Sequence, residues 1–276
     1  MSLAVFCVIL FSAALHAVWN AIVKSGSDTL LTTVLVATSG ALVGLVALPF
    51  LPPIAPDAWR YLAISAVLEI AYYALVAAAY RNADMSSAYP LMRGTPPLLV
   101  ALVSSLLLGA AISLPGWLGV ALISAGLLSL TLRSSKGNGR GVVFAMVNAL
   151  VIASYTLVDS FGVRASGSPI AYTMWIFVLT GVPLAAWALL GRRDFLPYAR
   201  GNWHLGLAGG LGTLISYGLV LWSMTMAPVA LVAALRETSI LFGTIIAVLV
   251  LKEKVTRTRL IAVLIIAAGA AALKLA

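Results

Sequence analysis

The chain has 276 residues, of which 62% are hydrophobic and only 9% are charged. Its mean hydropathy of +1.09 excludes a water-soluble globular domain of this size. The formal net charge of +9 would suit a nucleic-acid partner, but the basic residues lie in short loops between apolar runs. No nucleic-acid partner is therefore expected.

Apolar runs of membrane-spanning length follow one another along the whole chain. A bilayer core about 30 Å thick is crossed by about 20 helical residues. On this measure the sequence predicts ten transmembrane helices. Their expected ranges are 3–23, 30–50, 60–80, 86–108, 114–132, 141–162, 169–190, 204–225, 229–251 and 258–275.

The second half of the sequence repeats the first. A shift of 143 residues lays Arg93 on Arg236 and, without a gap, aligns the pairs Thr95 and Thr238, Leu98 and Leu241, Ile123 and Ile266, and Gly126 and Gly269. Five spans per copy would place the copies in opposite orientations across a bilayer. We therefore predict an all-α polytopic membrane protein of two inverted five-helix repeats, residues 1–135 and 136–276.

The distribution of basic residues predicts the orientation. Roughly twelve Lys and Arg residues follow odd-numbered spans, against about three at the other ends. Because basic residues collect on the cytoplasmic side, both termini are expected on the non-cytoplasmic side.

Five ionisable residues lie inside predicted spans, namely Glu69, Arg93, Asp159, Arg236 and Glu237. An ion at a helix centre costs about 2.5–3.5 kcal/mol to insert, so such residues normally face a cavity or one another. Arg93 could pair with Glu69 merely to hold two helices together. Asp159 lies near enough to a span end to reach the interface.

The two arginines are expected to flank the bilayer centre. Arg93 and Arg236 each lie about seven residues into their spans, roughly 10 Å from opposite faces. Guanidinium stays charged when buried and binds carboxylate or phosphate, which favours a substrate with an anionic group. Glu69 and Glu237 could match an amine on that substrate, and Glu69, Asp159 and Glu237 are candidates for carrying a proton.

Prolines make the fourth span irregular. Pro90, Pro96 and Pro97 surround Arg93, whereas the second copy has no proline there. Proline removes a backbone donor and frees carbonyl groups, so all three are hinge candidates. A proline tolerated near a helix end is the alternative for Pro90.

Aromatic side chains on other spans could complete a substrate pocket. The candidates from the first, sixth and eighth spans are Trp19, Tyr155, Tyr217 and Trp222. Their rings would favour an ammonium group. His16 lacks a partner at metal-ligand spacing, so neither a metal nor a cofactor is expected. Motifs of hydrolases, metalloproteases and nucleotide-binding sites are absent, which argues against an enzyme.

Several stretches resemble the drug/metabolite transporter superfamily in its EamA branch. AYPLMRGTPP at 88–97 resembles the fourth span of that family, and ALRETS at 234–239 with LKEK at 251–254 resembles its ninth span and following loop motif. HAVWN at 16–20 is similar to the first span of one bacterial subgroup. The likeness covers essentially the whole chain, although Gly109 and Ala110 stand where the first copy usually has an acidic loop motif.

The resemblance implies a transporter with a central cavity built largely from spans 3, 4, 8 and 9. By position it favours as substrate-binding residues Glu69, Tyr73, Tyr89, Arg93, Tyr217, Trp222, Arg236 and Glu237.

These lines together predict a secondary transporter of the bacterial inner membrane that works by alternating access. It would export a small amphoteric or anionic metabolite, such as an amino acid, with protons as a possible coupling ion and as a monomer or homodimer. One alternative is an importer or exchanger of an organic cation or a phosphonate-type metabolite. Another, from a different class, is an intramembrane enzyme acting on a lipid-linked substrate.

Overall fold

The computed structural model describes residues 1–133, 139–249, 252 and 256–276, and every regular element in these ranges is helical. Short 3-10 turns extend the second and sixth helices, at Leu48–Phe50 and Leu130–Arg133. The α-helices are α1 (Leu3–Ser25), α2 (Thr29–Ala47), α3 (Ala58–Asn82), α4 (Met85–Gly94), α5 (Pro96–Leu106), α6 (Leu114–Ser129), α7 (Gly139–Ala165), α8 (Pro169–Gly191), α9 (Phe195–Met226), α10 (Val229–Arg236), α11 (Ser239–Leu249) and α12 (Arg257–Lys274).

The helices have the length and hydropathy of membrane spans. Seven stretches of the described chain are long and apolar enough to cross a bilayer; six begin with α1, α2, α3, α7, α8 and α9, and the seventh joins α10 to α11. The α4–α5 pair, α6 and α12 supply the three further segments that the sequence predicts. The chain is thus a multi-pass helical membrane protein.

Helix boundaries recur with the spacing found in the sequence. The first residues of α5 and α11 differ by 143 residues, and so do those of α6 and α12. The packing of helices follows the same relation. The contact of α3 with α7 corresponds under this shift to the contact of α9 with α1, and both are extensive.

The interface between α6 and α12 shows the correspondence of positions 143 residues apart in its atomic contacts. A Cβ placed on Gly126 would lie 2.7 Å from Cγ1 of Ile266, and a Cβ on Gly269 would lie 2.7 Å from Cγ1 of Ile123. These contacts are reciprocal under the 143-residue shift. The positions rise along α6 as they fall along α12, so the two equivalent helices run antiparallel. Glycine is needed at both positions because the helices approach too closely for a side chain.

The fourth and ninth spans are both interrupted near their middle. The fourth breaks at Thr95, and Pro96 opens α5, as expected of a residue that cannot donate to the preceding turn. Pro90 instead lies inside α4.

The break in the ninth span was not predicted, since no proline marks it. Its backbone tightens into i to i−3 hydrogen bonds, from the Glu237 N–H to the Ala234 carbonyl and from the Thr238 N–H to the Leu235 carbonyl. The Thr238 hydroxyl also donates to the Leu235 carbonyl, at 2.7 Å. A threonine hydroxyl that competes for a backbone carbonyl bends helices in this way.

The eighth span begins earlier than predicted. Helix α9 starts at Phe195 and is kinked at Asn202, whose backbone is not helical and whose side chain donates to the Tyr198 carbonyl. In the exposed loop before it, Arg192 donates two hydrogen bonds to Asp194, which lower the pKa of that carboxyl below its usual range.

Helix α10 lies at the centre of the molecule. Every residue from Val229 to Leu235 is buried, and the helix contacts α1, α5, α6, α7, α9 and α12. Because α10 is buried, the polar residues at its C-terminal end, Arg236 and Glu237, also lie in the interior.

Candidate functional site

A buried ion pair joins the two halves of the chain. Arg93, in the last turn of α4, donates from Nε to Glu237 Oε2 at 3.0 Å, and its Nη2 lies 2.9 Å from Glu237 Oε1. Each residue is only 7% exposed. The partner of Arg93 is therefore Glu237 of the opposite half and not Glu69, which the sequence alternative proposed. A two-point contact of this kind fixes the relative position of the broken fourth and ninth spans.

The second arginine is held differently. The guanidinium carbon of Arg236 lies 5.0 Å from the centre of the Tyr217 ring, in a cation–π contact. Its Nε is buried and has no hydrogen-bond acceptor among the described residues. Arg93 Nη2 makes no contact that meets hydrogen-bond geometry, although it lies 2.9 Å from Glu237 Oε1 in the ion pair. The Nε of Arg236 is thus left with an unused donor at the centre of the molecule.

Both arginines line one cavity, together with Glu237. The other walls come from the break between α4 and α5, from α7, and from residues of α9 and α10. Its volume is about 10 Å³, about that needed for one water molecule. The site therefore has room for about one water molecule in this conformation, and any larger ligand requires the helices around it to separate.

Asp159 lies beside this centre and not at the interface that the sequence suggested. It is 0% exposed and accepts hydrogen bonds from two tyrosines. The Tyr172 hydroxyl donates to Oδ1 at 3.0 Å, and the Tyr217 hydroxyl donates to Oδ2. Because the Arg236 guanidinium lies over the ring of Tyr217, this tyrosine connects the Asp159 carboxylate on α7 to Arg236 on α10.

Glu69 and a group of tyrosines form another side of the site. Glu69, half-buried on α3, lies within electrostatic range of Asp159 and Arg236. One turn along α3, the Tyr72 ring packs edge-on against Tyr73 at 5.2 Å and against Tyr155 of α7 at 6.1 Å. The structure therefore brings Tyr73 and Tyr155 together through Tyr72.

The remaining predicted residues divide into two groups. Trp19 donates from Nε1 to Nδ1 of buried His16, which lies within electrostatic range of both arginines, and half-buried Tyr89 lies within range of Arg93. Trp222, in contrast, is 36% exposed, and its indole makes no hydrogen bond or ring contact with the described site residues.

Sequence reasoning missed the apolar and hydroxyl groups of the cavity wall. Ile152, Thr156, Met224 and Ala233 line the space between the arginines. Apolar residues of these types occur throughout the chain, so no sequence signal distinguished them. Within the described residues, no group of three His, Cys, Asp or Glu side chains is placed to hold a metal ion.

A bundle of membrane-spanning helices with charged residues buried at its centre is typical of membrane transporters. Residues 139–274 match the model of the EamA-like transporter family of the drug/metabolite transporter superfamily, so the second half of the chain is an EamA-like transporter unit. Of the loop motif expected after the ninth span, Lys252 has a φ of 53°, while Glu253 and Lys254 lie outside the described residues.

The fold has a counterpart of known structure. A protein solved by crystallography superposes with a TM-score of 0.73 at 19% identity, over 99% of this chain and 96% of that chain. A likeness at this identity shows the fold alone. No curated protein sequence matches the chain.

Proposed function

We propose that this protein is a secondary transporter that moves a small amphoteric or anionic metabolite, such as an amino acid, out across the bacterial inner membrane. Its two halves, residues 1–135 and 136–276, would be inverted repeats that alternate access to one site between them, with both termini on the non-cytoplasmic side. The antiparallel, reciprocal packing of α6 against α12 supports the inverted arrangement.

The observation that carries the proposal is Arg236 in the central cavity, whose guanidinium has neither an ion-pair partner nor an acceptor for its Nε donor among the described residues. The charge of Arg93 is balanced by Glu237, whereas Arg236 has no carboxylate within ion-pair distance among the described residues. The centre therefore offers one cation without a direct carboxylate partner and with a free Nε–H donor. A substrate carboxylate or phosphonate would satisfy this donor and pair with the charge, and could contact Arg93 as well. An organic cation would be repelled by the same arginine, so we favour the anionic group.

The rest of an amphoteric substrate would face α3 and α7. The half-buried carboxylate of Glu69 and the rings of Tyr72, Tyr73 and Tyr155 can attract an ammonium group by charge and by cation–π contact. Glu69, Asp159 and Glu237 are the candidates for a coupling proton, since they are the carboxyl groups nearest to the arginines.

Closure and opening would work through the broken spans. The Arg93–Glu237 pair connects the end of α4 to the end of α10, at the two interruptions that flank the cavity. A substrate carboxylate that binds Arg93 competes with Glu237 for the same guanidinium. Binding would therefore weaken the contact between the halves and allow them to rock about the site.

The test starts with a thermal-stability screen of the purified protein against amino acids and other small metabolites, since a compound that binds the folded state raises its stability. Compounds that stabilise are then assayed for counterflow in proteoliposomes. We expect saturable exchange that falls at least tenfold in Arg236→Ala and is unchanged in Arg192→Ala, an exposed control. Flux that does not saturate, or normal flux in Arg236→Ala, would contradict the proposal.

A further inference from the structure

A second and larger cavity lies next to the central one. Its volume is about 380 Å³, within the range of small-molecule sites. Three helices contribute to both cavities at positions four residues apart, in the pairs Val100 and Ser104 on α5, Thr156 and Ser160 on α7, and Ala233 and Val229 on α10. Four residues of helix rise about 6 Å, so the larger cavity lies one turn from the arginine centre.

A buried hydroxyl in its wall has no hydrogen-bond partner among the described residues. Ser104 is 2% exposed, and its Oγ makes no hydrogen bond with the described residues. Burying a hydroxyl without a hydrogen bond costs free energy, which points to a ligand that forms the missing hydrogen bond.

The charge on this cavity is positive. Arg164 is the ionisable residue among those that line it, and its Nη2 donates to the Ala227 carbonyl at 3.2 Å. The remaining N–H groups of its exposed guanidinium are available to a ligand.

The N-terminus of α10 adds backbone donors to the same wall. Pro228, Val229 and Ala230 line the cavity, and Pro228 stands at the cap position, where it makes no side-chain hydrogen bond. The N–H groups of Val229 and Ala230 belong to the first turn, which has no acceptors within its helix and carries partial positive charge. Val229 and Ala230 line the same space as Ser104 and Arg164.

We propose that this cavity is an outer binding site for an oxyanion, held by the Arg164 guanidinium, the Ser104 hydroxyl and the first-turn N–H groups of α10. It rests on the proposed function in that the oxyanion is the carboxylate or phosphonate of the transported solute, one helical turn from the central arginines. A phospholipid headgroup has the same chemistry, and the experiment separates the two sources.

The experiment measures labelling of a thiol at the rim. Cys7→Ser removes the single natural cysteine, and Ala111→Cys places a thiol on the cavity wall. The purified full chain is reacted with an anionic sulfonate and a cationic trimethylammonium methanethiosulfonate, each rate being divided by that of free cysteine. We expect the anionic reagent to react roughly tenfold faster than the cationic one.

Variants of Arg164 test the origin of this preference. Arg164→Gln keeps a donor for the Ala227 carbonyl but removes the charge, and should abolish the preference. Arg164→Lys should retain it. A preference that survives Arg164→Gln, or equal rates for both reagents in the unsubstituted background, overturns the proposal.

Competition with inorganic phosphate and with glutamate tests binding itself. Each should slow labelling by the anionic reagent, because a bound oxyanion both occupies the site and neutralises Arg164, and Ser104→Ala should weaken this protection about fivefold, the value of one hydrogen bond. If neither phosphate nor glutamate slows labelling, the proposed binding site is overturned. Protection by anionic lipid in nanodiscs, without any by the two solutes, assigns it to a headgroup and overturns the solute version. Arg236→Ala should leave labelling unchanged, so failure of the central site is distinguishable from failure of this one.

Discussion

Replacing the buried ion pair by apolar side chains separates its structural role from its role in transport. We consider Arg93→Met, Glu237→Leu and the double variant that carries both. The double variant removes both charges while keeping much of the side-chain volume. Such replacements are often neutral, or stabilising by about 1–4 kcal/mol, because no charge has to be desolvated.

The single changes should differ from the double one and from each other. Removing one partner of a buried pair costs about 3–5 kcal/mol. Arg93→Met leaves Glu237 within the field of Arg236, so its cost should lie near 3 kcal/mol. Glu237→Leu leaves two cations around one small cavity, so its cost should lie near 5 kcal/mol.

The assay combines unfolding in mixed micelles, followed by tryptophan fluorescence, with counterflow in proteoliposomes. We compare the loss of unfolding free energy in the double variant with the sum of the losses in the two single variants. The double variant's loss should be smaller by at least about 3 kcal/mol. It should nevertheless show no transport, since Arg93 would bind substrate. Additive destabilisation would refute the pairing, and normal transport by the stable double variant would refute the role in substrate binding.

Three other changes test separate parts of the account. Gly126→Ala should destabilise the α6–α12 interface by about 1–3 kcal/mol in the same unfolding assay, whereas Gly243→Ala, with nothing within 4 Å, should not; equal effects would contradict the close packing. Replacing Pro96 and Pro97 together by alanine should lower turnover without changing substrate affinity, and unchanged turnover removes the hinge assignment. Glu69→Gln should retain counterflow at saturating substrate, with weaker substrate binding, but make net flux indifferent to an imposed pH gradient; retained sensitivity to the gradient would exclude Glu69 as the proton carrier.

Much of the helical framework could be predicted because lipid imposes a strong constraint on sequence. A span needs about 20 apolar residues, so helix ends such as Leu114 and Pro169 coincide with the predicted ones. The interruption at Pro96 was also visible, since proline cannot continue the hydrogen bonding of the preceding turn.

The break in the ninth span could not be predicted in the same way. It depends on the Thr238 hydroxyl and on tightened backbone hydrogen bonds at Glu237, and similar residues occur inside regular helices. The 143-residue repeat pointed to this position, because α4 ends at the equivalent place. From the repeat, the break of the fourth span should have been expected again at the equivalent position of the ninth span.

Which side chains contact each other within the site was the least predictable part of the structure. The sequence placed five ionisable residues in spans but gave no definite pairing, and it left Glu69 open as a partner of Arg93. The actual partner, Glu237, lies 144 residues away. Likewise, distance from a span end suggested an interfacial Asp159, whereas contacts with Tyr172 and Tyr217 bury it completely.

The most direct measurement is an experimental structure of the protein with a compound that it transports. The account predicts the anionic group of that compound within hydrogen-bond distance of both Arg236 Nε and Arg93 Nη2, in an enlarged cavity between the halves. A compound bound elsewhere in the transport pathway, with neither guanidinium in contact, would contradict it.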